Sequence, residues 1–313
     1  MVQPTKILQP GVYRFKVTDE FSGLRLDQYL SEAGADLTRT LARRLIEIGG
    51  VHLSARRMRR CSETVCTGDK IEVYVDALPL DPAPLNHTRV IYRDQDLIVI
   101  DKPAGMPTQP TPARYKGTVY AELQKLLADT QRRSRRPSIG MVQRLDQDTS
   151  GVMVFSIHSR AHKKMTEQFL NHVVHKTYWA LIDGIPDTAE GKFSSQLARR
   201  RSTNLMVSVA KGGKPAETRY RLLQSMNDVS MVEIDLVTGR SHQIRVHFSE
   251  AGMPLLGDHA YGGPQRVGEV FIPRQMLHAR SLAFSHPVTG KEMIFTSSLP
   301  EDFSSVLQSL KVA

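Results

Sequence analysis

Three groups of residues in this 313-residue chain have the types and spacing to do chemistry. The first is Gln143-Arg144-Leu145-Asp146-Gln147-Asp148-Thr149-Ser150-Gly151, with two carboxylates two residues apart and an arginine two residues before the first. In an extended segment Arg144, Asp146 and Asp148 share one side and Leu145 takes the other. An ionised aspartate is a nucleophile or a base and needs no cofactor. A second carboxyl ~5–9.5 Å away would instead suit glycoside hydrolysis, with Asp148 as the candidate. The plainer reading is a polar turn feeding a buried strand over 152–155. The second group is Thr238-Gly239-Arg240-Ser241-His242-Gln243-Ile244-Arg245-Val246-His247-Phe248. Gly239 is expected to turn the chain and Ser241 to cap a helix ending near Gly252, on which His242, Arg245 and Ser249 share a face. Two histidines five apart without a nearby carboxylate make no metal site. The third is Tyr178, unremarkable by propensity because aromatics belong in strands. Cys61 and Cys66 lack two further ligands and read as buried thiols instead of a zinc site. No metal and no cofactor are expected.

The elements that must position these groups follow from pattern. Length predicts about two domains, and composition (40% apolar, 24% charged) a folded chain. A formal charge of +10 favours a polyanionic partner. No apolar run approaches the ~20 residues that span a bilayer, and the N-terminus lacks a signal-peptide core, so no membrane association and a cytoplasmic location are expected. An irregular arm with a short strand over 12–17 leads into a compact module over 24–75. Its second helix, capped by Thr38 or Thr40, stops at Gly49-Gly50. Arg39, Arg43 and Arg44 form one basic cluster and Arg56, Arg57, Arg59 and Arg60 another, a pattern that fits phosphate contacts better than a solvated face. Prolines at 79, 82 and 84 mark a linker over 77–88. Beyond it come a hairpin over 89–101 whose second strand is apolar on both faces, a helix over 119–128, and a basic run over 131–136. Next are a helix over 160–170 with Ser159 as its cap and Ala161, Met165, Phe169 and Leu170 on its buried face, a strand over 176–183, and paired strands over 218–223 and 229–236. The many hairpins argue for an α+β fold with a mostly antiparallel mixed sheet and helices flanking a central cleft. The domains are expected at 1–76, with the module at its core, and at 89–313.

The order R-L-D-x-x-L, S/T-R-x-x-A-x-x-L-I-x-x-G-x-V and G-D-x-I over residues 24–75 resembles the alpha-L RNA-binding motif of a ribosomal small-subunit protein. The stretch from Gln143 to Gly151 closely resembles the H-R-L-D-x-D-T-S-G motif of the RluA-type RNA pseudouridine synthases, with Gln143 in place of the usual His and Gln147 in place of a frequent Arg or Lys. Four further stretches follow in the family's order: Asp101 to Met106 for N-K-P-A-G-M, Lys176 to Ala180 for K-x-Y-x-A, Thr238 to Gly262 for T-G-R-x-H-Q-I-R-x-H with G-D-x-x-Y-G, and Leu277 to Pro287 for L-H-A-x-x-L and H-P. The resemblance implies an isomerase that converts specific uridines of structured RNA to pseudouridine. Asp146 would act on the ribose, by attack at the anomeric carbon or by removing the neighbouring proton. Arg245 would hold and aim Asp146, and Tyr178 would stack on the uracil and help remove the proton from carbon 5. Arg144 would fill the space of the extruded base or grip a phosphate. Large-subunit ribosomal RNA is the expected substrate and a monomer the expected form. Alternatives are a transfer-RNA pseudouridine synthase or a non-catalytic RNA-binding ribosome assembly factor.

Overall fold

The computed structural model describes residues 9–34, 36–128 and 138–312; the basic run over 131–136 lies outside them. The chain divides into two compact units, residues 1–85 with 107–135, and residues 86–106 with 136–313.

The first unit holds strands β1 (Gly11–Lys16), β2 (Val51–Leu53), β3 (Arg56–Arg57) and β4 (Lys70–Val75), in the order β1-β4-β2-β3. Helices α1 (Leu26–Ala33) and α2 (Arg39–Ile48) complete the module. Leu26, Leu30, Leu45 and Ile46 from the helices bury against Val51, Ile71 and Val73 from the strands. Thr38 caps α2 by accepting from the Leu41 N–H at 3.3 Å. Gly49 ends the helix at φ +95°, a left-handed position where a side chain would be strained. The segment from Pro107, including α3 (Val119–Ala128), belongs to this unit, whereas the sequence reading assigned all of 89–313 to the second. Tyr115 N–H donates to the Ile48 carbonyl at 2.7 Å. Arg114, almost wholly buried, donates its Nε to Asp76 at 2.6 Å. The thiols differ from expectation: Cys61 is partly buried and Cys66 exposed, because the 61–69 loop runs over the surface.

The second unit is built on one eleven-stranded sheet. Its strands are β5 (Val90–Arg93), β6 (Leu97–Lys102), β7 (Gly140–Met141), β8 (Ser150–Ser156), β9 (His175–Asp183), β10 (Glu190–Arg199), β11 (Met206–Val209), β12 (Lys214–Met226) and β13 (Val229–Leu236). After a small hairpin, β14 (Arg266–Val267) with β15 (Val270–Phe271), come β16 (Leu277–Ser285) and β17 (Glu292–Thr296). The order is β11-β10-β12-β13-β9-β16-β8-β6-β5, with β17 on β16 and β7 on β8. Every pair is antiparallel except β16 with β8. With helices α4 (Ser159–Leu170), α5 (Gln243–Glu250) and α6 (Glu301–Val312) packed on it, the fold is α+β. Leu97, Val99, Val152 and Val154 bury against Ala161 and Met165 of α4, while Leu181, Met231 and Met276 bury against Phe303, Val306 and Leu310 of α6.

Two helix starts depart from the sequence reading. His158, not Ser159, sits at the N-cap of α4, its Nδ1 accepting from Arg160 N–H at 3.2 Å. His242, not Ser241, precedes α5, at φ +53°. Leu170 is 70% exposed instead of buried, since α4 ends beside a surface turn. The expected alternation of Arg144, Asp146 and Asp148 also fails: residues 147–148 form a turn, and the strand begins only at Ser150. The Asp94-Asp96-His286 group is a structural knot. Backbone N–H groups of Val288 and Thr289 occupy His286 Nδ1, so its Nε2–H donates to Asp94 at 2.9 Å, and Arg160 grips Asp96 at 2.6 and 2.9 Å.

Candidate active site

Asp146 lies in the loop that enters β8, and that loop is fixed from behind. Lys102, fully buried at the end of β6, donates its ammonium to the carbonyls of Gln147 at 2.7 Å, Thr149 at 2.8 Å and Pro103 at 2.9 Å. Arg274 donates to the Asp148 carbonyl at 2.9 Å and is itself held by Asp302 at 2.6 and 3.0 Å. Three consecutive loop carbonyls thus face buried cations, and Thr149 N–H closes the turn onto the Asp146 carbonyl at 3.1 Å. Burial lowers Lys102 to about 7, opposed by the charges of Asp148, Asp146 and Asp101.

The sheet register brings the other groups to this loop. Ala279 on β16 pairs with Gly151 on one side and Tyr178 on the other. Gly151, at φ +116°, is required there: a Cβ would sit 2.2 Å from the Ala279 carbonyl oxygen. Tyr178 is 7% exposed and forms part of the wall of a cavity of about 360 Å³ that Asp146 and Arg245 also line. Burial, followed by the Asp146 charge, pushes its phenol well above the ordinary range. A phenol so held stays protonated, which suits stacking and disfavours a phenolate base.

Arg245, in the first turn of α5, donates Nη1 to Asp146 Oδ2 at 3.0 Å. Its two-point contact is made elsewhere, with the buried Asp258: Nε to Oδ2 at 2.6 Å and Nη2 to Oδ1 at 2.7 Å. The Tyr261 ring lies 4.9 Å from the guanidinium carbon. Burial works against the charge, but the two carboxylates outweigh it and the guanidinium is pushed upward. Asp258 therefore aims the arginine, and the arginine aims Asp146. His242 Nδ1 meets the Tyr261 hydroxyl at 2.8 Å, and its Nε2 stands 3.9 Å from Asp146 Oδ1. Burial lowers this imidazole, so it is neutral beside the carboxylate.

The structure gathers Arg144, Asp146, Tyr178 and Arg245 at one cavity; Arg144 is exposed on its wall, 3.4 Å from the Ser241 hydroxyl. Asp148 does not line the cavity, which removes the second acid that glycoside hydrolysis requires. Asp258 and Tyr261 had no role assigned from sequence, although they stand in the G-D-x-x-Y-G stretch. An acidic residue in a glycine-flanked turn just after the arginine's helix was the available signal.

The N-terminal arginines divide into three kinds, all within the first unit. Arg25, Arg39 and Arg43 converge on the buried Asp27 at 3.0, 3.2 and 3.5 Å, and Arg44 pairs with Asp81. Arg57 donates to the carbonyls of Gly49 and Thr111 at 2.5 and 2.6 Å, and Arg59 covers the Tyr115 ring at 3.9 Å. Arg56 and Arg60 are exposed and make no ion pair among the described residues.

Comparison with known proteins agrees with this geometry. Residues 96–250 match the RNA pseudouridylate synthase family, and residues 24–71 match the S4 domain. An RNA pseudouridine synthase of Aquifex aeolicus is 33% identical, over 96% of this chain and 97% of its own length. The ribosomal large subunit pseudouridine synthase D of Haemophilus influenzae is 34% identical, over 95% of this chain and 94% of its own. Among solved structures, human RNA pseudouridylate synthase domain containing 4 superposes with a TM-score of 0.61 at 26% identity, covering 72% of this chain and 93% of that one. No helix among the described residues is long and apolar enough to cross a membrane. A carboxylate held by a buried arginine beside a buried tyrosine is thus set within a chain similar to synthases along nearly its whole length, and the protein belongs to the RNA pseudouridine synthases, isomerases that act on RNA.

Proposed function

We propose that this enzyme isomerises a specific uridine of large-subunit ribosomal RNA, with Asp146 as its catalytic carboxylate. The observation that carries the reading is the Asp258–Arg245–Asp146 chain, which holds the cavity-lining Asp146 by one oxygen and leaves the other without a direct hydrogen bond among the described residues. Asp146 acts on the ribose of the extruded uridine and the glycosidic bond breaks. The uracil turns within the cavity, its carbon 5 bonds to the sugar, the proton on carbon 5 passes to solvent, and the nitrogen that left the sugar takes up a proton in its place. Tyr178 supplies a stacking surface and a phenol O–H donor. Arg245 is a positioning residue, and Arg144 on the exposed wall meets the RNA backbone. Arg39, Arg43 and Arg44 serve as phosphate contacts through the guanidinium surface their carboxylate pairs leave exposed. Arg56 and Arg60 do so without pairs, and Arg57 and Arg59 contribute mainly to the fold of the S4 domain.

The ribosomal substrate is supported by the S4 domain and by relatives named large-subunit synthases in Haemophilus influenzae and Zymomonas mobilis. On that substrate the enzyme works in the cytoplasm, as a monomer and without metal or cofactor. The test is tritium release from RNA labelled at uracil carbon 5. Release is expected from large-subunit ribosomal transcripts; release from transfer RNA alone would overturn the ribosomal assignment.

A further inference from the structure

The cavity that holds Asp146 and Tyr178 is lined as well by Phe169, His172, Lys176, Gly239 and Arg240. Lys176 stands two residues before Tyr178 on β9, on the same face of the strand and about 7 Å along it. It is 6% exposed, and its ammonium makes no hydrogen bond and no ion pair among the described residues. Gly239 lies beside it: a Cβ there would come within 3.8 Å of Nζ. Arg240 opposes its charge, while Asp235 attracts it without pairing. His172, at φ +57°, feels both cations. A cation largely removed from water and without a partner is costly, and an anion that reaches it through the cavity would offset that cost. Two cations and an imidazole at this part of the lining, with no carboxylate paired to Lys176 among the described residues, select an anion.

We propose that Lys176, with Arg240 across Gly239, binds a backbone phosphate diester of the RNA next to the uridine received by Tyr178. This rests on the reading of the Asp146 end as the uridine pocket. The two-residue spacing along β9 then puts about 7 Å between the base at Tyr178 and the phosphate at Lys176. Burial, offset in part by Asp235 and reinforced by Arg240, lowers Lys176 to about 8. A phosphate favours the charged form, so binding draws a proton onto Lys176 and affinity falls as pH rises above that value.

The test is the affinity of the full chain for in-vitro-transcribed large-subunit ribosomal RNA, measured against salt and pH. Lys176→Met is expected to weaken binding about tenfold, to lower the slope of log affinity against log salt by ~0.7–0.9, and to lose the decline above pH 8. Lys176→Arg is expected to keep the slope and lose that decline, because a guanidinium stays charged. A Lys176→Met protein that melts like wild type but keeps the full salt slope would overturn the site. If the Met variant fails to fold, the Arg variant decides: a decline above pH 8 that survives in it overturns the proposal. Because the readout is binding, a chain that shows the lysine's slope yet isomerises no uridine would remove the functional reading and leave the phosphate site standing.

Discussion

Asp146, Arg245 and Asp258 work as one unit, and each makes a different prediction. Asp146→Asn keeps the shape of the side chain and loses its charge. Isomerisation should fall below about one per cent of wild type with RNA affinity nearly intact, as single-turnover rates and a binding titration would show. Arg245→Met should lower the rate far more than the affinity, with partial recovery in Arg245→Lys. A lysine cannot span Asp146 while also making the two-point contact to Asp258. Asp258→Asn leaves Arg245 partly unpaired and free to shift. A displacement on the order of 1 Å costs about 100-fold in rate, so the asparagine variant should fall by roughly 10–100-fold in kcat with little change in KM. A normal kcat in that variant would show that Asp258 only supports the fold. The pairing of Asp146 with Arg245 was legible only through the resemblance of their two motifs to the family's, which implies it. Asp258 was not: its place depends on the turn at 257–262 bringing it beneath α5, a contact that no local spacing encodes.

At the scale of elements, the site is a loop held from behind. The sequence told which strand follows Asp146 but not that Lys102 and Arg274, 44 residues before and 128 after it, would take the loop's three carbonyls. The assumed extended geometry failed for the same reason. Carbonyls turned toward two cations bend the chain at 147–148, which carries Asp148 off the cavity wall. Replacing Lys102 with Met would strand the carbonyls of Gln147 and Thr149 in the interior. Each stranded acceptor costs about 1–3 kcal/mol, so a drop of about 2–6 kcal/mol is expected in denaturant unfolding, with a matching drop in activity. Gly151→Ala should be at least as damaging, since the new methyl meets the Ala279 backbone and the φ of +116° disfavours any side chain. The strands and the 119–128 helix were legible from periodicity because apolar alternation is local. The caps at His158 and His242 were not, since an imidazole at an N-cap is outvoted by the neighbouring serine on propensity.

For the whole molecule, the two units are expected to contribute separably to RNA binding and chemistry. Removing residues 1–76 would also remove Asp76 from the buried Arg114 and Gly49 from its place against the 107–128 segment, so truncation would test folding as much as binding. Point substitution separates them. Arg56→Gln and Arg60→Gln should each flatten the salt dependence of RNA affinity by ~0.7–0.9, the value for one phosphate no longer neutralised. Arg57→Gln should lower the melting temperature instead, because its guanidinium serves two backbone carbonyls. Composition favoured a polyanionic partner, and the ordered motif over 24–75 resembled an RNA-binding module, its arginine clusters read as phosphate contacts. Which arginines are held within the unit was not legible: Arg25, Arg39 and Arg43 share the buried Asp27 while keeping exposed surface, and Arg57 serves the carbonyls of Gly49 and Thr111. The most direct measurement for the central claim is a pseudouridine map of total RNA from cells lacking this gene, complemented with wild type or with Asp146→Asn. The account predicts that specific large-subunit ribosomal positions revert to uridine, that wild type restores them, and that Asp146→Asn does not. An unchanged map, or restoration by Asp146→Asn, would contradict it.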